Sequence, residues 1–167
     1  MIILETQRLS LREMTPDDAE NAYLLNLDPD VLKYTGDAPF GSIEEARNFL
    51  LKYDHYKKYG FGRWAVINKL DHEFIGWCGL RYVTDKNEYD VGYRLNKRFW
   101  NKGYATEAAK ACIDIGFNKF NIKRIIGNVM KENIASIRVL EKIGMTYYKD
   151  EDCGQQPGMI YEIEHKQ

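Results

Sequence analysis

The chain has 167 residues, of which 44% are hydrophobic and 29% are charged, and its formal net charge at pH 7 is −1. These values are typical of a soluble globular protein with one core, and they exclude the disordered and fibrous classes. The near-neutral charge gives no support for nucleic-acid binding, so any anion site must be local. No apolar run approaches the roughly 18 residues of a membrane span, and we expect no membrane association.

Cysteine and histidine usage indicates a protein of a reducing compartment without a metal. The three cysteines, Cys78, Cys112 and Cys153, lie far apart and form no C-x-x-C motif, which favours free thiols in the cytoplasm. The N-terminal stretch MIILETQRLSLRE carries charged side chains where a secretion signal would need an apolar segment. The three histidines do not have the spacing of zinc ligands, so no metal is expected.

The first part of the chain predicts a strand and two helices. The stretch RLSLREM alternates apolar and polar residues, as a half-buried strand does. Thr15 and Pro16 mark a helix start, and the DPD at 28–30 is expected to end that helix. Ser42, with Glu45 three residues later, predicts a capping box for a second helix, which runs to about Tyr59.

The second part of the chain predicts most of the sheet. Three strands, RWAVIN, FIGWCGLRYV and YDVGYRLN, are joined by short loops. A helix with an unbroken apolar face follows Gly103, then the strand IKRIIGNVM, a helix from about Glu132 to Ile143, and Gly144 as its C-terminal cap. The strands MTYYKDE and GMIYEIEH close a single domain, residues 1–167. The order βααβββαβαββ predicts a mixed α/β (α+β) fold with a mostly antiparallel sheet flanked by helices.

The junction RFWNKGYATEAAK before the long helix is a candidate anion site. The first amides of a helix have no internal partners, and the helix dipole favours negative charge there. Gly103 allows close approach of the backbone, and Asn101 tolerates left-handed backbone angles. The alternative is an ordinary helix start. The P-loop motif and the dinucleotide-binding G-x-G-x-x-G are both absent.

Two segments, YDVGYRLNKRFWNKGYATEAAK and NVMKENIASIRVLEKIGM, together resemble the GCN5-related N-acetyltransferase (GNAT) family. LETQRLSLREMTPDDAE is similar to the opening of its branch of ribosomal-protein N-terminal (RimJ/RimL-like) acetyltransferases. The resemblance implies two splayed strands that enclose a cleft for acetyl-CoA, which serves as the co-substrate. It also implies a cytoplasmic enzyme, in some cases a homodimer.

The resemblance further implies which residues bind the co-substrate. Backbone amides of the loop would hold its pyrophosphate, and those of the preceding strand would bind the pantetheine arm and the thioester. Asn133 and Ser136, on the helix after the second strand, would also contact the arm. The implied residues are Trp100, Asn101, Lys102, Gly103, Tyr104 and Ala105 in the loop and Tyr93, Arg94 and Leu95 in the strand. Trp100 departs from the family, which has Gln or Arg there.

The catalytic groups are less certain from the same resemblance. Many relatives have a tyrosine acid seven residues after the Asn, but here that position is Leu140. Ser136 is the implied substitute acid, whereas Asn133 could be only a helix cap. Asp90 is the candidate base, and Glu88 lies two residues earlier on the same strand face. Both carboxylates could instead be solvated, with the proton leaving through water.

The segment NLDPDVLKYTGDAPF occupies the place where the family shapes its acceptor cleft. Tyr34 could form an apolar wall and Asp37 could attract a cationic amine, such as a polyamine, an aminoglycoside or a protein N-terminus. Asp28 and Asp30 are alternatively turn formers. The predicted activity is direct acetyl transfer to a primary amine. The alternatives are a non-catalytic acyl-CoA-binding or regulatory module and an acyltransferase for longer acyl groups.

Overall fold

The computed structural model of the protein describes residues 1–167 and contains one eight-stranded sheet. Its strand order is β1-β2-β3-β4-β5-β6-β8-β7. The strands are β1 (Ile2–Glu5), β2 (Leu9–Glu13), β3 (Arg63–Asn68), β4 (Phe74–Val83), β5 (Glu88–Leu95), β6 (Arg124–Met130), β7 (Thr146–Asp150) and β8 (Gly158–Glu164). Every neighbouring pair is antiparallel except β5 and β6. The predicted mixed α/β fold with a mostly antiparallel sheet is therefore confirmed.

Six α-helices and two 3₁₀ turns flank this sheet. The helices are α1 (Ala19–Leu25), α2 (Pro29–Leu32), α3 (Ile43–Lys52), α4 (His55–Tyr59), α5 (Tyr104–Asn118) and α6 (Ile134–Lys142), and the 3₁₀ turns are Pro16–Asp18 and Lys97–Phe99. Helices α1 to α4 connect β2 to β3, while α5 connects the parallel strands β5 and β6. None of the helices is both long enough and apolar enough to cross a bilayer.

The core lies between the central strands and α5. Trp64, Ile75 and Leu80 of β3 and β4 are fully buried, as expected for strands covered on both faces. Small residues on α5 let the helix approach closely: a Cβ added at Gly116 would lie 2.9 Å from Cδ1 of Leu80. Close packing fixes the helix against β4 and β5, and this sets where its N-terminus points.

Tertiary contacts change the predicted boundaries between β2 and β3. The DPD at 28–30 begins a helix instead of ending one, because the Asp28 carboxylate caps α2 by accepting from the Asp30 amide at 2.9 Å. The predicted second helix is interrupted at Tyr53. The hydroxyl of Tyr53 accepts from the amide of Arg63 at 2.9 Å, a contact with β3 that replaces the helical path. The strand β1 was not predicted.

The helix caps follow the predictions closely. Gly60 and Gly144 both adopt left-handed backbone angles, with φ of 80° and 93°, where glycine carries no Cβ penalty. Ser42 caps α3 by accepting from the amide of Glu45 at 3.1 Å. The Glu45 carboxylate binds the amide of Gly41 instead of that of Ser42, so only half of the predicted capping box forms.

Candidate active site

The strands β5 and β6 separate soon after they meet. Their parallel pairing has a single register position, Asp90 opposite Ile126. Beyond it, β5 stays paired with β4 and β6 stays paired with β8, so a wedge opens in the middle of the sheet. This wedge belongs to a cleft of about 1310 Å³ that the loop before α5, helix α6 and the segment from α1 to α3 also line.

The loop at the wide end of the wedge presents unpaired backbone donors. Asn101 and Gly103 have φ of 60° and 80°. The left-handed backbone angle at Asn101 agrees with the tolerance that its residue type predicts. The amides of Gly103, Tyr104, Ala105 and Thr106 donate no hydrogen bond within the protein. They stand at the N-terminus of the 15-residue helix α5. Free donors and the positive end of a helix dipole together form a cradle for an anion.

The side chain of Trp100 connects the loop that forms this cradle to the end of β5. Its indole donates a hydrogen bond to the carbonyl of Leu95 at 3.0 Å, while its backbone amide donates to the carbonyl of Lys97. The amide of Trp100 is therefore occupied and differs from the free amides further along the loop. Lys102 does not line the cleft, and its ammonium lies 6.0 Å from the ring centroid of Phe99. The side chain that replaces the family's Gln or Arg ties the loop to the end of the strand.

Thr6 and Arg8 of the N-terminal segment bind the first turn of α5 and so fix the loop that forms the cradle. Glu107, in the first turn of α5, accepts from the Thr6 hydroxyl at 2.6 Å and from the Arg8 Nε at 2.8 Å. Arg8 also donates to the carbonyl of Lys102 at 2.9 Å and stacks on Tyr104. Burial opposes ionisation of Glu107, but the bonds from Thr6 and Arg8 outweigh it and lower its pKa. These contacts position the loop, and no local sequence signal indicated them.

Along β5, the backbone groups of successive residues point alternately towards β4 and towards the wedge. A Cβ added at Gly76 of β4 would lie 2.1 Å from the carbonyl oxygen of Arg94, so the peptide groups of Arg94 face β4. Neighbouring residues point the opposite way, and Leu95 accordingly presents its carbonyl to Trp100. The amides of Tyr93 and Leu95 thus face the wedge, whereas that of Arg94 does not. The contacts of Tyr93 and Leu95 with the co-substrate stay predictions, and the Arg94 amide is directed at β4 instead.

Asn133 and Ser136 lie together at the start of α6. The Asn133 Oδ1 accepts from the Ser136 amide at 3.2 Å, so Asn133 is a helix cap whose Nδ2 remains free to bind a ligand. The Ser136 Oγ lies 2.7 Å from the hydroxyl of Tyr93 on β5. Leu140, at the position where many relatives have tyrosine, is buried in the core. The Tyr93–Ser136 pair therefore spans the wedge with a phenol and an alcohol.

The two candidate bases have other partners. Asp90 is 2% exposed and lines the cleft, but its oxygens accept from Arg63 at 2.6 Å and from Arg81 at 2.5 Å. Glu88 lies outside the cleft, where it pairs with Arg124 at 3.4 Å. Of the two carboxylates, only Asp90 reaches the cleft, and both of its oxygens are held by guanidinium groups.

The acceptor side of the cleft is formed by α1, α2, α3 and the loop between α2 and α3. Tyr34 and Asp37 both line it, as the sequence led us to expect. The Asp37 carboxylate pairs with Arg94 at 2.6 Å, and Asp30 pairs with Lys97 at 2.5 Å. Neither carboxylate is left free for a cationic amine. The residues that neutralise them are far away in sequence, so their pairing could not be predicted.

A stack of cations and an indole, which sequence reasoning missed, completes this side. The ring of Trp77 on β4 contacts two guanidinium groups, that of Arg63 at 5.1 Å and that of Arg94 at 5.3 Å from its centroid. All three side chains line the cleft. Their strands are adjacent in the sheet, and a register prediction for β3, β4 and β5 would have placed them together.

The fold, the wedge between β5 and β6 and the anion cradle are typical of an acyltransferase. Comparison with known proteins shows the family to which the chain belongs. The family model described as acetyltransferase (GNAT) domain matches residues 8–146. The chain therefore belongs to the GNAT family, and it is an N-acetyltransferase. It is 35% identical to the uncharacterized N-acetyltransferase p20 from Bacillus licheniformis over 145 residues, which cover 86% of this chain and 82% of that protein.

Solved structures agree with this assignment. A GNAT-family acetyltransferase from Bacillus anthracis superimposes with a TM-score of 0.82 at 30% identity, covering 98% of each chain. The ribosomal-protein-S5-alanine acetyltransferase from Vibrio fischeri has the same fold, with a TM-score of 0.82 at 20% identity over 96% of this chain and 95% of that one. The expected likeness to the ribosomal-protein acetyltransferase branch is thus found at the level of the fold.

Proposed function

We propose that the protein transfers the acetyl group of acetyl-CoA directly to a primary amine, on a small molecule or at a protein N-terminus. The observation that carries this proposal is the wedge between β5 and β6, which has an anion cradle at one end and the Tyr93–Ser136 pair across it. No cysteine is paired with a histidine for a covalent intermediate: Cys78 and Cys112 are buried with their sulfurs 3.6 Å apart.

The residues present fit acetyl-CoA as the donor. The free amides from Gly103 to Thr106 would hold the pyrophosphate, since each is an unpaired donor at the positive end of α5. Cationic side chains outnumber carboxylates along the cleft, although the whole chain carries a net charge of −1. Arg138 and Lys142 on α6 belong to this lining and would attract further phosphate. When bound, acetyl-CoA supplies an activated acetyl thioester.

Backbone donors of β5 would stabilise the charge that develops during attack. The amides of Tyr93 and Leu95 face the wedge and are held rigidly by the pairing of β5 with β4. An amide aimed at the carbonyl oxygen of the thioester lowers the barrier, because it is already oriented before the reaction. The Nδ2 of Asn133, which no protein group uses, would bind a carbonyl of the pantetheine arm.

We propose Ser136 as the proton donor to the departing thiolate, with Tyr93 behind it. Burial raises the pKa of Tyr93 to about 12, although the hydrogen bond with Ser136 opposes the shift. The phenol therefore stays protonated at neutral pH and can donate to the Ser136 Oγ. A serine that receives such a bond can release its own proton towards the sulfur more readily.

For the amine proton we propose a water chain, with Asp90 as a positioning residue. Both oxygens of the Asp90 carboxylate are engaged by arginines, at 2.6 Å from Arg63 and at 2.5 Å from Arg81, so neither is free to bind the amine. Its removal would leave Arg63, which is only 15% exposed, without a counter-ion. Glu88 is not proposed for this role, because it lies outside the cleft.

The test is incubation of the purified protein with acetyl-CoA and a panel of amines, peptides included, followed by mass spectrometry of the amines. Addition of one acetyl group that requires both protein and acetyl-CoA supports the proposal. Propionyl-CoA and succinyl-CoA in parallel reactions show whether longer acyl groups are used. Tight acetyl-CoA binding without acetylation of any amine would instead favour the non-catalytic acyl-CoA-binding module.

A further inference from the structure

The side chain of Arg94 is an unusual feature of the acceptor side. It projects from β5 away from the Tyr93–Ser136 pair and is only 10% exposed. Its Nη1 donates to the Oδ1 of Asn26 at 2.9 Å, and its Nη2 donates to the Oδ2 of Asp37 at 2.6 Å. The guanidinium also stacks on Trp77. A buried cation held in one orientation by an amide and an indole forms a built binding group on the wall of the cleft.

One edge of this guanidinium is only half used. The Nε and the Nη2 of an arginine point their hydrogens in parallel, and a carboxylate placed on that edge accepts from both. Asp37 accepts from the Nη2 alone, and the buried Nε has no partner. Buried donors without partners are rare in folded proteins, and each calls for a missing ligand or another explanation.

Asp37 is placed so that a ligand can displace its carboxylate from the Nη2 of Arg94. Its side chain is 58% exposed, in contrast to that of Arg94. It lies in the loop between α2 and α3, directly after Gly36, whose φ of 72° places it in the left-handed region. Because Asp37 is exposed and lies on a loop, the carboxylate of a ligand can exchange with it while the buried Arg94 keeps a counter-ion.

The surrounding charges favour an anion at this position. The nearby carboxylate of Asp90 is already paired with Arg63 and Arg81, and that of Asp30 is paired with Lys97. Displacing Asp37 would therefore leave the stack of Arg63, Trp77 and Arg94 with an excess of positive charge. This is the opposite of the environment that a polyamine would require.

We propose that the amine acceptor carries a carboxylate, which binds the Nε and Nη2 of Arg94 in place of Asp37. The acceptor class is thus an amino acid or an amino-acid-like amine, and Arg94 determines the specificity. This inference rests on the acetyl transfer proposed above. The carboxylate is held on β5, the strand whose amides face the thioester, so one strand positions the carboxylate of the acceptor and the thioester of the donor.

The test compares pairs of amine acceptors that are identical except that one carries a carboxylate and the other carries a primary amide. A series of amino acids with growing spacers, from glycine through β-alanine and 4-aminobutyrate to 5-aminovalerate, is assayed with acetyl-CoA beside the corresponding primary amides and spermidine. We expect kcat/KM for the best acid to exceed that for its amide by at least about tenfold, the effect of one charge-assisted bidentate contact. Arg94→Gln and Arg94→Lys should remove most of this preference, and Asp37→Asn should lower KM for the acid.

The controls separate this inference from the proposed function. Arg47→Gln, on α3 and outside the cleft, should keep the preference, and a thermal shift with acetyl-CoA shows that each variant still folds and binds the donor. Equal or better use of the amides, preference for spermidine, or an acid preference that survives in Arg94→Gln would overturn the inference while leaving acetyl transfer intact. Failure to acetylate any amine, spermidine and the peptides of the wider panel included, would overturn both.

Discussion

At the scale of residues, we propose that the pair formed by Tyr93 and Ser136 replaces a tyrosine acid that this chain lacks. Leu140 fills the position where many relatives carry that acid, and it is buried in the core. The hydroxyl groups of Tyr93 and Ser136 lie 2.7 Å apart and come from the two sides of the wedge. In this proposal the phenol is supplied by β5 instead of α6.

Ser136→Ala should lower kcat by about 10²-fold, the range typical of losing one proton donor. The affinity for acetyl-CoA should change little, because the anion cradle is untouched. Tyr93→Phe, which keeps the ring but removes the hydrogen bond, should have a smaller effect of the same kind. Steady-state kinetics with a calorimetric affinity for acetyl-CoA would measure both quantities. Unchanged kcat in Ser136→Ala would rule out its role as the acid.

Residue roles could be read from the sequence only where they depend on the local backbone. The φ values of Asn101 and Gly103 follow from residue type, and Ser136 was reached through the family motif. By contrast, the pairing of Arg94 with Asp37 joins positions far apart in the chain. Asp90 also pairs across strands, with Arg81 nine residues earlier on β4 and with Arg63 on β3. Such contacts require the strand register and the loop path.

At the scale of elements, the N-terminal segment and α5 are joined through Glu107. Its carboxylate accepts from Thr6, from the amide of Arg8 and from the Arg8 side chain. These bonds fix the first turn of the helix whose amides form the cradle. The α5 helix itself was predicted from its apolar periodicity, but its anchor was not, because a lone glutamate in a first turn is common.

Glu107→Gln should lower the free energy of unfolding by about 1–2 kcal/mol, since it weakens hydrogen bonds to a charged group. Affinity for acetyl-CoA should fall several-fold, because the loop is less well positioned. Chemical denaturation and calorimetry would give the two values. Glu44→Gln is the matched control: Glu44 is 70% exposed on α3 and should tolerate the change. Equal behaviour of the two variants would contradict the proposed anchor.

A second contact between elements makes stability depend on pH. The Nε2 of His55 in α4 accepts from the amide of Tyr82 in β4 at 3.0 Å, so the imidazole must be neutral. Burial, followed by the charge of Arg63, lowers the pKa of His55 below its usual value of 6.5. Below pH 6.5 the His55 imidazole is protonated more readily in the unfolded chain than in the folded chain. The stability that His55 contributes is therefore complete above about pH 6.5 and is lost as pH falls through its lower folded pKa.

Denaturation at several pH values would measure this contribution. Between about pH 6.5 and 5, the free energy of unfolding of the native chain should decrease as pH falls. His55→Gln, whose side-chain oxygen can accept the same bond, should flatten this part of the curve. An identical slope in the two proteins would show that another group titrates there.

At the scale of the whole molecule, one interruption in the sheet creates the site. The strands pair antiparallel everywhere except between β5 and β6, where a single register position is followed by divergence. The order of elements and the central strands could be predicted from periodicity. The break at Tyr53, the helix α2 and the strand β1 could not, because they depend on contacts such as that of Tyr53 with Arg63.

The most direct test of the central claim, that this cleft binds acetyl-CoA through its backbone cradle, is a thermal shift. At about 100 times its dissociation constant the ligand should add about 2.7 kcal/mol, which raises Tm by about 5–10 °C. Gly103→Glu, which places a carboxylate in the cradle, should abolish the rise. Gly154→Glu makes the same change at another left-handed glycine with open space around it and should retain the rise. A shift that persists in Gly103→Glu, or no shift in the native chain, would contradict the account.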